Sequence, residues 1–199
     1  MEFLTLSEDL LLGEGRHKKV YRHPADNGKC IKIMKDAEDT ELQRELEYHK
    51  ALARRGKHLS MLVQYYGEVQ TNLGQGYVFE QVQDFDGTPS RELTVIFEDR
   101  ENAEKLLGCS AQDVLRKFRK LCFDEKIVVS NMDPYNYMLQ RLSENEYTIR
   151  VIDNIGTPAH LPLAYYFDYF AAKHIRKYWK RFVKKYKDVY PDVFPKDLL

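Results

Sequence analysis

The chain has few of the residues that would tie its function to a zinc site, a disulfide framework or a strongly charged partner. Its three cysteines, Cys30, Cys109 and Cys122, include no CxxC pair. The 31 basic and 31 acidic residues cancel, so the overall charge favours neither nucleic acid nor membrane as a partner. No apolar run approaches the roughly 20 residues that span a bilayer, and the first residues lack a signal peptide's basic region. We therefore expect a cytoplasmic protein with reduced thiols.

The residue patterns predict class α+β, with a strand-rich first part and a mainly helical second part. The 14 tyrosines and 10 phenylalanines are enough for a substantial core. Residues 84–90 are rich in turn formers and are interpreted as a linker. Helices are predicted over 40–55, 110–124 and 164–186, with a hairpin between the last two. The first part has predicted strands at 3–12, 20–21, 30–34, 62–66 and 77–82, and a predicted hairpin turn at Asp26-Asn27-Gly28.

An asparagine and an aspartate flank the hairpin of the second part. Asn136 precedes an apolar strand, and Asp153 opens the segment Asp153-Asn154-Ile155-Gly156 after the returning strand. Kinase-like folds hold metal ions beside a nucleoside triphosphate with an Asn and an Asp placed in this way. Magnesium prefers hard oxygen ligands of this kind. The pair is interpreted as a Mg²⁺ site, with ordinary turn residues as the alternative.

A glycine-rich turn, Gly13-Glu14-Gly15, lies near the start of the chain, in the position of a loop that covers phosphate groups. Glycine lets the backbone approach phosphate without a Cβ clash. Lys18 stands where the kinase pattern has its third glycine, and Lys18 or Lys19 would add positive charge there. An ordinary hairpin with a basic tip is the alternative interpretation.

Lys32 lies among the apolar residues of a predicted strand, where an unpaired ammonium is costly. Kinase-like folds pair such a lysine with a helix carboxylate and with nucleotide phosphates. By analogy with the kinase helix, Glu45 is the predicted partner; Glu41 and Glu47 are less well placed. An exposed lysine on an edge strand is the alternative.

Six segments occur in the order and spacing of a known family. They are Leu12-Gly13-Glu14-Gly15-Arg16-His17-Lys18-Lys19-Val20-Tyr21, Cys30-Ile31-Lys32-Ile33, Arg44-Glu45-Leu46-Glu47-Tyr48, Gly76-Tyr77-Val78, Asp84-Phe85-Asp86-Gly87-Thr88-Pro89-Ser90 and Asp153-Asn154-Ile155-Gly156. Together they resemble the protein-kinase-like fold, in particular the YrbL family, the PhoP regulatory network proteins of bacteria. The resemblance covers nearly the whole chain.

The resemblance implies one two-lobed kinase-like domain over residues 1–199. Residues 1–83 would form a small β-rich lobe, and residues 84–199 a hinge and a reduced, mainly helical lobe. It also implies that ATP and Mg²⁺ bind in the cleft between them. The backbone groups of Glu80 and Val82 would read the adenine edges at the hinge; a plain buried strand end is the alternative there.

The position of the kinase catalytic base is altered. Asn131 stands five residues before Asn136, and its amide cannot accept a substrate proton. General-base help is worth roughly 10²–10⁴-fold, but phosphoryl transfer depends chiefly on positioning and charge neutralisation. Asp133 is a candidate either to replace the base or to repel phosphate. The chain is thus expected to be an ATP/Mg-binding regulatory protein: a weak or atypical phosphotransferase acting on an unidentified protein or small molecule, or a pseudokinase.

The last predicted helix is strongly basic on one side. Its cationic residues are Lys173, Arg176, Lys177, Lys180, Arg181, Lys184, Lys185 and Lys187. A solvated face of an amphipathic helix is the simpler interpretation. The alternative is a surface that binds an acidic partner, RNA or anionic lipid. Residues 157–162 replace a long activation segment and no Ala-Pro-Glu follows, so the part that docks peptide substrates in protein kinases is not expected here.

Overall fold

The computed structural model describes residues 3–36 and 40–198, and its first part is a twisted six-stranded sheet. The strands are β1 (Phe3–Leu4), β2 (Leu11–Glu14), β3 (Lys18–His23), β4 (Asp26–Met34), β5 (Tyr65–Thr71) and β6 (Gly74–Glu80). Their order is β1-β5-β6-β4-β3-β2, so the long strand β4 lies inside the sheet. Every neighbouring pair is antiparallel except β1 and β5.

The two faces of β4 differ because side chains alternate along a strand. Ile31 and Ile33 join one apolar cluster, whereas Cys30 packs with Phe79 in another. Lys32 lies on the same side as Cys30 and is only 4% exposed. The alternation along β4 therefore places one lysine inside the protein, and the alternative of an exposed lysine on an edge strand is wrong.

The predicted turn at Asp26-Asn27-Gly28 is wrong. His23 pairs with Asp26, so the two-residue turn is Pro24-Ala25 and β4 begins at Asp26. The Asp26 carboxylate instead accepts a hydrogen bond from the Gly28 amide at 2.9 Å, which caps the start of the strand locally. A proline in the first turn position fixes the backbone for the reversal. The strand predicted at 62–66 is also displaced, since β5 begins at Tyr65.

The helix α1 (Thr40–Arg54) crosses beside the sheet. It ends just before Gly56, whose φ of +60° is a conformation that favours glycine. The residues of α1 that face inward are mostly apolar, but Glu45 is among them and is 3% exposed. The prediction of this helix and of its stop is confirmed to within one residue.

The second part combines a three-stranded sheet with five helices among the described residues. The strands are β7 (Arg91–Glu92), β8 (Tyr137–Arg141) and β9 (Tyr147–Val151). The helices are α2 (Val95–Glu98), α3 (Arg100–Leu107), α4 (Ala111–Glu125), α5 (Leu163–Tyr166) and α6 (Asp168–Tyr186). The side chain of Ser110 accepts the Asp113 amide and starts α4 as predicted. Helices α2 and α3 were not predicted.

The two parts are continuous through backbone contacts and a shared core. The Val151 amide donates to the Met61 carbonyl at 2.7 Å, which joins β9 to the segment after α1. Tyr48 of α1 packs in the same large core as α4 and α6. The supposed linker is ordered, because Arg141 Nε donates to the Asp84 carboxylate at 2.6 Å. The class α+β is confirmed.

Candidate functional site

The predicted ion pair between Lys32 and Glu45 is present and buried. Lys32 Nζ lies 2.8 and 2.9 Å from the two carboxylate oxygens of Glu45. The third hydrogen bond of the ammonium goes to the Ile152 carbonyl at 3.0 Å, and the Phe79 ring centroid is 4.0 Å away. Because a lysine ammonium has three donors, all of them are satisfied by the protein. Burial lowers the pKa of Lys32, but the carboxylates of Glu45 and Asp153 raise it above its ordinary value, so Lys32 is charged.

Asn136 and Asp153 come together at the end of the β8–β9 hairpin. The Ile152 amide donates to the Asn136 carbonyl at 2.9 Å. The Asn154 side-chain amide donates to Asn136 Oδ1 at 3.3 Å, and the Asn154 backbone amide donates to Asp153 Oδ1 at 2.8 Å. Asn136 is 1% exposed, and its Nδ2 has no hydrogen-bond partner in the described residues. The hairpin thus brings the side chains of Asn136 and Asp153 close to Ile152, whose carbonyl accepts a hydrogen bond from Lys32.

Lys18 reaches the same place from the opposite side. Its ammonium forms an ion pair with the carboxylate of Asp153. Burial raises the pKa of Asp153, but Lys18 and Lys32 together hold it below its ordinary value, so the carboxylate is ionised at neutral pH. A lysine in the position of the third kinase glycine therefore closes the space between the glycine-rich turn and the hairpin.

The turn that contains Gly13 and Gly15 is an ordinary hairpin in its hydrogen bonding. The Gly15 amide donates to the Lys18 carbonyl at 2.9 Å. Among the described residues, nothing lies within 4 Å of a Cβ built on Gly13, and a Cβ on Gly15 meets only the Lys18 carbonyl at 3.8 Å. The fold itself gives no steric reason for glycine at either position, so any requirement for glycine comes from a bound group.

Glu80 and Val82 follow β6 on the way to the second part. The Glu80 amide donates to the Gln64 carbonyl at 2.9 Å, and its carboxylate accepts from Arg150 at 2.6 Å. The Val82 carbonyl accepts from the Ser90 amide at 3.3 Å. No hydrogen bond within the described residues uses the Val82 amide. Among the backbone groups predicted to read adenine, the Val82 amide therefore has no hydrogen-bond partner in the described residues. The Val82 carbonyl already accepts a hydrogen bond from Ser90.

Asp133 is tied into a cluster with the end of α6. Its carboxylate accepts from Tyr186 at 2.6 Å and from Tyr135 at 2.9 Å, and it forms an ion pair with Lys185. The side-chain amide of Asn131 also donates to it. Burial raises the pKa of Asp133, but these partners hold it below its ordinary value. Such a carboxylate is a poor proton acceptor, so the contacts favour a structural role for Asp133.

Magnesium would have few protein ligands here. Among the described residues, no group of three or more His, Cys, Asp and Glu side chains is arranged to hold a metal. Asn136 and Asp153 offer one amide and one carboxylate oxygen, and magnesium sites that include substrate phosphates commonly use one or two protein groups. Of five grooves on the described surface, with volumes of about 120 to 780 Å³, none is lined by Lys32, Asn136 or Asp153. Because Lys18 is paired with Asp153, a triphosphate that reached Asp153 would displace this contact.

Three contacts of this region were not predicted from the sequence. They are the Ile152 carbonyl on Lys32, the Asn154 amide on Asn136, and the Lys185 ion pair with Asp133. The first two contacts follow from the geometry of the hairpin. The segment Asp153-Asn154-Ile155-Gly156 could have indicated Asn154 as a residue of the site, because it directly follows Asp153. The ion pair of Lys185 with Asp133 joins residues 52 positions apart, and no local sequence pattern predicts it.

Comparison with known proteins identifies the family. The model of the family described as "PhoP regulatory network protein YrbL" matches residues 4–187. The chain belongs to the YrbL family. It is 40% identical over 164 residues to "Uncharacterized protein YrbL" of Escherichia coli (strain K12), which covers 81% of this chain and 77% of that protein. The protein of the same name from Shigella flexneri matches to the same extent. The chain is thus a YrbL-type PhoP regulatory network protein.

No helix among residues 3–36 and 40–198 has both the length and the apolar character needed to cross a bilayer.

Proposed function

We propose that this YrbL-family protein is a kinase-like regulatory protein that binds ATP and Mg²⁺ between its two parts. The observation that carries the proposal is the buried pair of Lys32 and Glu45 beside Asp153 and Asn136. Protein kinases combine a strand lysine and a helix glutamate with an aspartate and an asparagine that hold the metal ions. Here the four residues come from four separate segments. Lys32 bonds both Glu45 and the Ile152 carbonyl. Asn136 bonds Ile152 and Asn154, on either side of Asp153.

The proposed fold is a two-lobed kinase-like domain spanning residues 1–199. The six-stranded sheet with α1 would be the smaller lobe, and the second sheet with helices α2 to α6 the larger one. Gln81 and its neighbours would form the hinge, because they connect β6 to the turn at residues 84–90. The glycine-rich turn supports this proposal, since nothing else in the described fold requires Gly13 and Gly15.

The polar groups of the site fit a magnesium nucleotide. Asp153 is ionised, and Lys18 supplies a positive charge next to the turn. Asn136 Oδ1 accepts one hydrogen bond, from Asn154 at 3.3 Å, and an amide oxygen has a second lone pair that could face a metal. Asn136 and Asp153 would hold the metal, and Lys18 would face the phosphates. Lys32 would reach a phosphate only by exchanging its hydrogen bond to the Ile152 carbonyl. When bound, the metal would neutralise phosphate charge. The open amide of Val82 would donate to the base at the hinge.

Phosphoryl transfer is proposed to be slow or absent. Asn131 cannot accept a proton, and the Asp133 carboxylate is held by Lys185 and Tyr186. Since general-base help is worth roughly 10²–10⁴-fold, a site without it favours binding over turnover. Between a weak phosphotransferase and a pseudokinase, the contacts of Asp133 favour the pseudokinase. The nucleotide-bound and nucleotide-free forms of such a protein would differ. Replacing Asn131 by Asp should increase any phosphotransfer of labelled ATP; an unchanged rate would count against the alignment with the catalytic loop.

Calorimetric titration and thermal shift with ATP, each with and without Mg²⁺, test nucleotide binding. The informative variants are Asp153→Ala and the double variant Gly13→Ala/Gly15→Ala. The glycine variant has no steric cost in the fold, so it should melt like the wild type yet bind ATP more weakly. Asp188→Asn, at an exposed residue of the chain's end, is the matched control. Equal ATP affinity in all four proteins, or no affinity in the wild type, would refute the proposal.

A further inference from the structure

The exposed face of α6 carries positive charge that the protein does not neutralise. Residues 161–187 contain eight Lys and Arg residues and one acidic residue, Asp168. Asp168 already contacts Arg55 at 2.7 Å, and it also pairs with Lys57 and Lys126. Six cations of α6 form no ion pair within the described residues: Lys173, Arg176, Lys177, Lys180, Arg181 and Lys184. The overall charge of zero conceals this local excess.

Exposed apolar side chains crowd the region just before this basic face. Of the fourteen large apolar side chains that are exposed in the described residues, six lie between residues 161 and 170. Leu161 is 76% exposed and Tyr169 is 73% exposed. Exposed apolar groups that gather in one place mark a binding surface more often than scattered ones do. The exposed apolar residues between 161 and 170 and the basic face of α6 form one patch. This patch fits a partner that offers both apolar surface and negative charge.

The two features meet in a groove. Its volume is about 460 Å³, and Leu161, Leu163 and Phe170 line it with Lys173 and Lys177 among the same lining residues. Lys177 and Arg181 also line a second groove of about 780 Å³ along the helix.

Arg181 continues into a third groove of about 120 Å³, which it shares with Asn131 and Asp133. A path of cationic side chains therefore runs from the apolar groove to the loop that contains Asn131. From Lys177 to Lys185 the path is about 12 Å long at the rise of an α-helix.

The shape of the patch distinguishes between the possible occupants. Leu161, Leu163 and Phe170 line a shared, open groove, so the exposed apolar surface includes a recess that can take one apolar group. Single-stranded RNA stacks its bases on open aromatic faces. Here Phe170 is packed edge-to-face with Tyr169 at 5.4 Å and with Phe167 at 6.2 Å between ring centroids. A groove with an apolar floor and cationic surroundings accepts a side chain that projects from a protein, as anchor residues do at interfaces.

We infer that this surface is the docking site for an acidic segment of a partner protein that carries an apolar anchor residue. The anchor occupies the groove lined by Leu161, Leu163 and Phe170. The acidic residues that flank it lie against Lys173, Lys177 and Arg181. The inference goes beyond nucleotide binding and holds whether or not ATP occupies the site between the two parts.

A displayed library of random twelve-residue peptides, selected on the full-length protein, tests the chemistry of the partner. The selected peptides should be rich in Asp and Glu and should share one large apolar residue. The best peptide is then synthesised and titrated by fluorescence anisotropy, together with its version in which the apolar residue is Ser. We expect that version to bind about tenfold more weakly, since one anchor side chain commonly dominates such interfaces.

Variants of the protein locate the site. Lys177→Glu/Arg181→Glu should weaken the peptide at least tenfold, roughly the effect of losing close charge pairs at an interface. Leu161→Ser, at a highly exposed residue, should weaken it without changing the melting temperature. Arg22→Glu/Lys105→Glu changes the net charge equally at exposed residues elsewhere and should leave the affinity within about twofold, because distant exposed charges are screened by salt.

Four results would overturn the inference. The first is a selection without acidic enrichment, and the second is a Ser peptide that binds as well as its parent. The third is an Arg22 and Lys105 variant that loses as much affinity as the Lys177 and Arg181 variant. A single-stranded RNA or vesicles with anionic lipid, tested in the same assay, would identify a different occupant if they bound more tightly than the peptide and lost affinity in the same variant.

Discussion

Replacing Lys32 by Met should be among the most damaging changes in the first part of the chain. The substitution keeps the apolar stem but removes the ammonium that holds both carboxylate oxygens of Glu45. Glu45 is 3% exposed, so its charge would remain buried without a partner. Removing one member of a buried ion pair costs about 3–5 kcal/mol, and we expect a loss of unfolding free energy in that range.

The pH dependence follows from the same contact. Burial already raises the pKa of Glu45 above its ordinary value of 4.5 in the wild type, and Lys32 opposes that rise, so removing Lys32 raises the pKa of Glu45 further. A group with a raised folded pKa loses stabilisation as the pH rises through its unfolded pKa. The difference in stability between wild type and variant should therefore be small at low pH, where Glu45 is protonated in both. It should grow as the pH rises above the folded pKa of Glu45 in the wild type, by about 1.4 kcal/mol per pH unit until the folded pKa of the variant is reached.

A double variant separates the ion pair from general damage. In Lys32→Met/Glu45→Met neither charge remains, and apolar replacement of a buried pair is often nearly neutral, so we expect a loss of about 2 kcal/mol or less. Urea unfolding followed by circular dichroism measures the stability of the whole chain, and the fluorescence of Trp179 reports the second part separately. A loss below about 1 kcal/mol in the single variant, or equal losses in the single and double variants, would refute a buried, coupled pair.

Three further predictions concern other contacts. Gly76→Ala should cost about 1–3 kcal/mol in urea unfolding, because the added Cβ would lie 2.7 Å from Ile31 Cγ2; a neutral result would contradict the close packing of β6 on β4. Tyr165→Phe should cost about 1–3 kcal/mol, since the hydroxyl accepts the buried Thr157 amide at 2.9 Å, and unchanged stability would show that water replaces it. The pKa of Asp168 is lowered from 3.8 to about 2 by Lys57 and Arg55, so the wild type should lose its stability advantage over Asp168→Asn as the pH falls from 3.8 towards 2; an advantage that persisted unchanged would exclude these ion pairs.

The parts of the fold that could be predicted are those with a local physical cause. The apolar residues around Lys32 predicted a strand, and the apolar spacing over 40–55 predicted α1. Glu45 was paired with Lys32 by analogy with the kinase helix. Ser110 marked the start of α4 because its hydroxyl accepts an amide of the first turn. Gly56 marked the end of α1 because its backbone has a positive φ.

The parts that were missed depend on contacts between distant residues. The turn after β3 lies at Pro24-Ala25, because the pairing of His23 with Asp26 sets the register, and Asp26-Asn27-Gly28 only imitates a turn signal. Helices α2 and α3 are short and rich in charge, so they have little periodicity to detect. The contact of Lys185 with Asp133 depends on how α6 packs on the loop, and it changed the interpretation of Asp133 from a candidate base to a structural residue.

A crystal structure of the protein with Mg²⁺ and a non-hydrolysable ATP analogue tests the central proposal most directly. We predict a nucleotide between the Gly13–Gly15 turn and Asp153, with Lys18 moved from the carboxylate to the phosphates and a metal ion on Asp153 and Asn136. An analogue bound instead on the cationic face of α6, or crystals grown at saturating analogue with the Lys18 contact to Asp153 intact, would contradict it.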